Sequence, residues 1–399
     1  MSIIHAPRWG GIHTIMERAG PLCGQSGWPW TVVLPAADDG DNGRKRLEAA
    51  GLNVVEIPLR RLRKTLNPLT HLKFLATIPI DVIRLMRIIK DYDIDVVQVC
   101  GLIHFHGALA ARLANKPLVW QLHSDQPPAF LKRIFSPWVR SLSHVSMTAG
   151  QKIIGKHSGL SRMEPPPYVF FAPVDLNRFR PDALMRSQAR HRMGVGDGAG
   201  EIVVGTVGGR GPNKNHAMIV RVAAALRDHE PRLRYALCGH WLPQHRAYYQ
   251  REVIDLAERE GLLESGIVRF VEPGSEVSLY MNGFDLFALS SHGEGISVVT
   301  AEAMATGLPV VVNDVGSMSD FVQDGDVGYL NRSLTVDEMA RHILALARDD
   351  ATRHKMGQHA LAYARSHLDA RVCANVHIEA YQCAIERQRA ITMPSARTS

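Results

Sequence analysis

Two glutamates in a glycine-rich segment have the types and spacing to act on one ligand. Glu294 and Glu302 lie eight positions apart within the segment Ser291-His-Gly-Glu-Gly-Ile-Ser-Val-Val-Thr-Ala-Glu. On one continuous helix their side chains would differ by about 80° in azimuth, which is an unfavourable arrangement for binding one ligand. The glycines on either side of Glu294 favour a loop, whereas Ser297 is a credible N-cap that places Glu302 on a short helix.

This helix would begin with free backbone N–H groups that point toward the loop. Such a helix N-terminus binds anions readily. The segment therefore offers amide donors for a phosphate, a loop carboxylate for sugar hydroxyls and a helix carboxylate for ribose hydroxyls. A nucleotide sugar satisfies all three, and the alternative is an ordinary turn with two solvated glutamates.

Two cations follow a predicted strand in the segment Val207-Gly-Gly-Arg-Gly-Pro-Asn-Lys. Arg210 and Lys214 could stabilise the charge that builds on a leaving phosphate when a glycosidic bond breaks. The alternative is a solvated basic turn.

The N-terminal half contributes fewer candidates. Gly10 and Gly11 follow the first predicted strand, and His123 lies at the end of another. His104 and His106 could form a metal pair, but no third ligand is evident, so we predict no metal site.

Short apolar runs alternate with helical patterns along the whole chain, which predicts parallel sheets covered on both faces. Strands are expected at 3–6, 31–34, 54–57, 96–100, 118–122, 145–148, 202–207, 234–237, 267–270, 286–289 and 309–312. The candidate residues follow the carboxyl ends of these strands, where open α/β sheets bind ligands. We therefore expect an α/β fold of two doubly wound, Rossmann-like parallel-sheet domains facing a cleft.

A proline-rich stretch separates the two series of strands and predicts an interdomain linker. The expected order is an acceptor domain at 1–170, a linker at 171–185, a donor domain at 186–368, a helix at 369–390 that crosses back to the first domain, and a flexible tail at 391–399.

The composition excludes several classes of protein. The 399 residues contain no apolar run long enough to span a bilayer, and the chain opens on a strand rather than a signal peptide. We therefore expect a cytoplasmic protein. Its five scattered cysteines, without a CxxC pair, predict neither disulfides nor a zinc site. The net charge of +7 favours an anionic partner, but charge alone does not choose between a nucleotide, a membrane and a nucleic acid.

A basic segment suggests one such partner. Leu59-Arg-Arg-Leu-Arg-Lys-Thr-Leu precedes a helical pattern with Phe74 and further basic residues, namely Lys73, Arg84, Arg87 and Lys90. This mixture of Leu and basic residues would suit an anionic membrane surface, which predicts peripheral attachment at the inner face of the membrane. A solvated loop and an ordinary covering helix are the alternative.

The two glutamates also match the Glu-x7-Glu signature of retaining glycosyltransferases of family 4, the group 1 type with the GT-B fold. This resemblance implies that Glu294 contacts the transferred sugar and that Glu302 holds the ribose. It also implies that the donor sugar and phosphates are bound by the backbone amides of Gly295, Ile296, Ser297 and Val298.

Other segments resemble the same family. Arg210 and Lys214 resemble its Gly-Arg-x4-Lys segment, with a loop one residue shorter, and would bind the donor diphosphate. The resemblance implies backbone recognition of the base around Val271. It places the Gly10-Gly11 turn against the diphosphate and acceptor, and His123 near the sugar and acceptor.

The resemblance implies a retaining, metal-independent transferase without a cofactor. It would move a sugar from a nucleotide-diphosphate donor to a sugar or lipid-linked acceptor, in cell-surface polysaccharide or glycolipid synthesis, without nucleic acid as a partner. The alternatives are a GT-B nucleotide-sugar epimerase, a phosphorylase, or a non-catalytic nucleotide-sugar-binding subunit. A dehydrogenase is disfavoured because the first turn lacks a full GxGxxG.

Overall fold

The computed structural model of the chain describes residues 1–5, 9–36, 43–59, 68–124, 127–196 and 200–392, with the side chains of 68–73 excepted. The chain forms two compact units. The first comprises Met1–Pro173 and the C-terminal residues from Ala370 onward, and the second comprises Val174–Asp369. Elements are numbered in chain order.

The first unit is built on a parallel sheet of seven strands in the order β3-β2-β1-β4-β5-β6-β7. The strands are β1 Ser2–Ile3, β2 Thr31–Pro35, β3 Asn53–Ile57, β4 Val97–Cys100, β5 Leu118–Leu122, β6 Val145–Ala149 and β7 Tyr168–Phe170. Helices cover both faces, which explains why the central strands read as nearly continuous apolar runs.

The helices of this unit divide between the two faces of its sheet. They are α1 Gly11–Gln25, α2 Gly43–Ala49, α3 Pro68–Asp91, α4 Phe105–Leu113, α5 Ala129–Leu142, α6 Gln151–Lys156 and α16 Ala370–Thr392. Helix α1 packs against α2 and α16, whereas α4 packs against α3 and α5. This division follows from right-handed crossovers that run in opposite directions from β1 and β4.

A buried polar network joins α16 to this sheet. The Tyr381 hydroxyl donates to Gln98 Oε1 at 2.7 Å, and Gln98 Nε2 donates to Gln121 Oε1 at 2.8 Å. Gln121 Nε2 in turn lies 2.9 Å from His377 Nε2. Because buried polar groups are costly to leave unpaired, the network fixes the last helix on the sheet of the first unit.

The second unit has a parallel sheet of six strands in the order β10-β9-β8-β11-β12-β13. The strands are β8 Ile202–Val207, β9 Leu233–Cys238, β10 Val268–Val271, β11 Leu286–Leu289, β12 Val310–Asn313 and β13 Gly328–Asn331. The helices are α7 Ala183–Arg192, α8 His216–Leu226, α9 Arg246–Tyr249, α10 Asp255–Arg259, α11 Val277–Asn282, α12 Val298–Ala305, α13 Met318–Phe321, α14 Val336–Arg348 and α15 Asp350–Tyr363, with π-helical turns at Gln250–Ile254 and Ala364–Leu368.

The structure differs from the sequence predictions at several places. Strands β7 and β13 were not predicted, and β1 ends at Ile3 rather than extending to residue 6. The boundary between the units follows Pro173, and α7 begins inside the segment expected as a linker, where the Asp182 carboxylate accepts from two N–H groups of the first turn. Within the described residues, no helix is both long and apolar enough to cross a membrane.

Candidate functional site

The candidate site of the second unit forms where two neighbouring strands end. Strands β8 and β11 pair in parallel, so the loops after their carboxyl ends lie side by side. The His292 N–H donates to the Asn213 carbonyl at 2.8 Å, and Asn213 Nδ2 donates to the Gly293 carbonyl at 2.9 Å. These bonds join the loop that carries Lys214 to the loop that carries Glu294.

Lys214 and Glu294 meet at this junction. The Lys214 ammonium donates to Glu294 Oε1 at 2.6 Å, and the two side chains are 22% and 9% exposed. The Lys214 stem lies over Gly208, where a Cβ would come within 2.9 Å of it. This close approach explains why residue 208 is a glycine. The site holds one positive and one negative charge in mutual contact.

A chain of polar side chains below the loop supports Lys214. Ser290 Oγ donates to the carbonyl oxygens of Lys214 and Asn215, at 3.2 and 2.8 Å. Asn313 Nδ2 donates to the Ser290 carbonyl at 3.0 Å, and Asn331 Nδ2 donates to Asn313 Oδ1 at 2.7 Å. Local spacing in the sequence does not reveal these contacts. The available signal was a polar residue at the carboxyl end of a buried strand.

Gly316 supports Glu294 from the other side. Its φ of +62° is in the region that favours glycine, and a Cβ there would lie 2.1 Å from the Glu294 carbonyl oxygen. The neighbouring Ser317 Oγ donates to the Gly295 carbonyl at 2.8 Å. The loop that carries the first glutamate is therefore held by two consecutive residues after β12.

The N-terminus of α12 follows Glu294. Ser297 occupies the N-cap position, as expected, but its hydroxyl pairs with Thr300 Oγ1 at 2.9 Å rather than with a backbone N–H. The Val298 N–H donates to the Ile296 carbonyl at 3.1 Å. In the part of the chain that the structure describes, the N–H groups of Gly295, Ile296 and Ser297 have no acceptor. Three of the four predicted amide donors thus remain available to an anion.

Glu302 lies farther along α12 and is buried. It stands on the helix whereas Glu294 stands on the loop, so the expected separation of the two carboxylates onto different elements is observed.

Arg210 does not join the Lys214–Glu294 pair. Its guanidinium donates to Glu272 Oε1 at 3.2 Å and to the Val271 carbonyl at 3.4 Å, and its Cζ lies 4.4 Å from the centre of the Trp241 ring. The reason is a β-bridge between Arg210 and Trp241, which directs the side chain toward β9 and β10. Lys214, by contrast, lies on the β11 side of β8.

His216 is a buried histidine whose imidazole is affected by the charges of both cations. Burial lowers the pKa of its imidazole to about 3, and the charges of Lys214 and Arg210 act in the same direction. Its Nδ1 lies 2.8 Å from the Tyr249 hydroxyl. A neutral histidine at the start of α8 is therefore expected at physiological pH.

The predicted residues of the first unit also follow strand ends. Gly10 is the extended N-cap of α1, where a Cβ would meet no atom within 4 Å, and Gly11 is the first residue of the helix. His123 follows β5 and packs edge-on against Phe170, with ring centres 5.8 Å apart. Burial lowers the pKa of His123 to about 3, and neither ring nitrogen has a hydrogen-bond partner among the described residues.

Two further histidines lie near this strand end. His104 packs on His5, with ring centres 3.6 Å apart, and His106 Nε2 contacts His5 Nε2. Burial lowers the pKa of His106 to about 4. Across the described residues, no set of three His, Cys, Asp or Glu side chains is arranged to hold a metal ion.

Comparison with known proteins relates both units to sugar transfer. The family described as Glycosyl transferases group 1 matches residues 188–362, and the family described as Glycosyltransferase Family 4 matches residues 9–154. A D-inositol 3-phosphate glycosyltransferase of Kribbella flavida is 30% identical over 227 residues, which are 54% of this chain and 51% of that protein. The chain thus spans about half the length of such curated relatives.

Two other proteins are similar over longer stretches. A GDP-mannose-dependent alpha-mannosyltransferase of Mycobacterium tuberculosis is 24% identical, over 81% of this chain and 80% of that protein. The crystal structure of Anabaena HepE in complex with UDP has a TM-score of 0.78 at 21% identity, covering 95% of this chain and 98% of the other. This likeness confirms the predicted fold class, with two parallel-sheet α/β units of the GT-B type. Since the two family matches fall one on each unit, the chain belongs to the group 1 glycosyltransferases of family 4.

Proposed function

We propose that the protein transfers a sugar from a nucleotide-diphosphate donor to an acceptor, with retention at the anomeric carbon. The observation that carries this proposal is the contact between Lys214 and Glu294 at the junction of the two loops. The names of similar proteins support a nucleotide-sugar donor: one relative is GDP-mannose-dependent, and HepE binds UDP-glucose.

Lys214 is placed to act on the diphosphate. When the donor binds, its phosphate replaces Glu294 as the partner of the ammonium, and the N–H groups of Gly295, Ile296 and Ser297 bind the same anion. As the glycosidic bond breaks, negative charge builds on the leaving phosphate, and these fixed donors stabilise it. This supply of positive charge from the chain itself is the support for transfer without a divalent metal.

Glu294 then becomes free to bind the sugar. A carboxylate that has lost its ammonium partner accepts strongly from hydroxyl groups, and a bidentate contact would orient the ring for reaction. Glu302, buried on α12, is proposed to accept from the ribose hydroxyls. Both roles follow the family resemblance of these two positions.

Arg210 is given a different role from the one expected. Its guanidinium orders the Val271 carbonyl and Glu272 at the end of β10, where the resemblance places the base. We therefore assign it to positioning the base-binding turn rather than to direct contact with the diphosphate.

The first unit is proposed to bind the acceptor. Two groups of this unit can contact sugar hydroxyls: the N-terminus of α1 at Gly10 and Gly11, and the neutral imidazole of His123, whose ring nitrogens have no partner among the described residues. A sugar or a lipid-linked sugar fits this chemistry, and peripheral membrane attachment would suit the second kind. The basic residues of the sequence hypothesis at positions 60, 61, 63 and 64 lie outside the described residues, as do Leu62 and Leu66. Its other two apolar members, Leu59 and Phe74, are buried.

An assay of nucleoside diphosphate release separates the proposal from its alternatives. A transferase releases nucleoside diphosphate from a nucleotide sugar faster when an acceptor is added, and the product keeps the anomeric configuration of the donor by NMR. An epimerase would convert the sugar without acceptor, a phosphorylase would require orthophosphate, and a binding subunit would release nothing. We expect acceptor-dependent release that persists in a chelator. Inversion or acceptor-independent turnover would contradict it.

A further inference from the structure

Helix α5 exposes an apolar stripe on the first unit. Phe130, Ile134 and Trp138 are 62%, 54% and 46% exposed. They recur every four residues, so they lie within about 80° of one another on a single face of the helix. Isolated exposed apolar residues are common, but a contiguous stripe marks an interaction surface.

The stripe is not needed for the packing of the unit. The opposite face of α5 buries Ser136 and Val139. On that side Phe135 stacks on Phe105, with ring centres 5.9 Å apart, and Phe105 meets Phe74 of α3 at 6.0 Å. Helix α5 therefore has a complete core face in addition to its exposed stripe.

The charge of α5 is of one sign. The helix contains Lys132, Arg133 and Arg140 and no acidic residue. Arg133 and Arg140 are exposed and differ by about 20° in azimuth, which places both along the same edge of the stripe. An apolar stripe with a basic edge and a tryptophan is typical of helices that lie in the interface of an anionic bilayer.

A second group of exposed apolar side chains lies on the same side of the sheet. Helix α3 exposes Leu75, Ile80 and Ile83, followed toward its end by the exposed Arg87 and Lys90. Helices α3 and α5 both pack against α4. Helices α3 and α5, each with exposed apolar side chains and basic neighbours, therefore flank one helix.

We propose that α5, together with α3, docks the first unit on an anionic lipid bilayer. Phe130, Ile134 and Trp138 enter the boundary between headgroups and acyl chains, and Arg133 and Arg140 pair with the headgroup phosphates. Helix α5 follows β5 and His123, so docking brings the carboxyl ends of the strands close to the lipid surface. The advantage of that placement, access to a lipid-linked acceptor, rests on the proposed function.

Cosedimentation of the full chain with vesicles tests the docking surface. The probes are vesicles of phosphatidylglycerol and phosphatidylcholine, or of phosphatidylcholine alone, at low ionic strength. We expect the protein to bind the anionic vesicles and to be released by high salt, which screens the headgroup charge. Replacing both arginines (Arg133→Gln and Arg140→Gln) should weaken binding about 30-fold, since each basic residue near such a surface contributes about fivefold.

The apolar contribution is tested separately. The triple variant with Phe130→Ser, Ile134→Ser and Trp138→Ser should weaken vesicle binding at least tenfold, whereas Leu184→Ser, at an exposed position of the second unit, should leave it unchanged. Wild-type protein that stays in the supernatant, or a triple variant that binds like wild type, would overturn the proposal. A concentration-dependent dimer that the triple variant abolishes would overturn it in favour of a second copy.

The same variants separate docking from catalysis. With a soluble acceptor, both variants should release nucleoside diphosphate at the wild-type rate, because their substitutions lie outside the proposed site. Protein that binds vesicles through α5 but never releases nucleoside diphosphate would support the docking surface and contradict only the proposed function.

Discussion

Lys214 Nζ and Glu294 Oε1 lie 2.6 Å apart and connect the loops that follow β8 and β11. Both side chains are largely withdrawn from solvent. Removing one partner would therefore leave the other charge buried without compensation. A donor diphosphate that takes the ammonium therefore changes the state of the carboxylate at the same time. This exchange links donor binding to the positioning of Glu294.

Removing either partner of this pair should impair turnover more than binding. Lys214→Ala is expected to lower kcat about 100- to 1,000-fold, because it removes a charge that the leaving phosphate needs mainly in the transition state. Glu294→Gln should also lower kcat more than it raises the donor KM. Steady-state kinetics with the exposed Lys45→Ala as control would check this. Variants with an unchanged kcat and only a raised KM would argue against the assigned roles.

Gly316→Ala should disable the site while leaving the fold intact. A Cβ at Gly316 would lie 2.1 Å from the Glu294 carbonyl oxygen, so the loop must move. We expect kcat to fall at least tenfold. The matched control is Gly325→Ala, which has a similar φ of +82° but no atom within 4 Å of the added Cβ. If kcat fell equally in the two variants, backbone strain at a positive φ, and not the contact with Glu294, would be responsible for the loss.

The buried histidines predict a loss of stability in mild acid. Burial lowers the folded-state pKa to about 4 for His106 and His377, and to about 3 for His123 and His216. In the unfolded chain a histidine has a pKa near 6.5, so the unfolded state binds protons first. The stability that these neutral histidines contribute is therefore fully present above about pH 6.5 and is lost as the pH falls toward 4. The free energy of unfolding falls by up to about 1.4 kcal/mol per histidine and pH unit.

Urea unfolding at several pH values between 7.5 and 5 measures this effect. His123→Phe should make the decline of the unfolding free energy less steep, because it removes a buried titrating group whose ring nitrogens have no partner among the described residues. The exposed His229→Phe should leave the slope as it is in the wild type. A pH dependence that His123→Phe does not alter would show that this imidazole is not buried in the neutral form.

The sequence predicted those parts of the fold that depend on local pattern. The bounds of β5, β8 and β11 match the predicted strands, because apolar runs that lie inside a sheet and are buried on both faces are conspicuous. Strands β7 and β13 were missed because they have three and four residues and lie at the edges of their sheets. Such short runs carry little periodicity.

The site was predictable in its chemistry but not in its contacts. The positions of Glu294 and Lys214, just past the carboxyl ends of predicted parallel strands, indicated that both lie at the ligand-binding edge of a sheet. The location of the Arg210 guanidinium depends on a bridge to Trp241, and the support of Lys214 depends on Asn313, a residue 99 positions away in the chain. These relationships follow from strand order and long-range pairing, which local spacing does not encode.

The placement of the donor nucleotide in the second unit is tested most directly at Glu302. Calorimetric titration of the wild type with a panel of nucleotide sugars should identify a donor that binds saturably. Against that donor, Glu302→Ala should bind about 10- to 100-fold more weakly, because it removes charge-assisted hydrogen bonds to the ribose worth about 1.5 to 3 kcal/mol. The exposed Glu258→Ala should bind like the wild type. Wild-type affinity in a folded Glu302→Ala variant would contradict the placement of the nucleotide on α12.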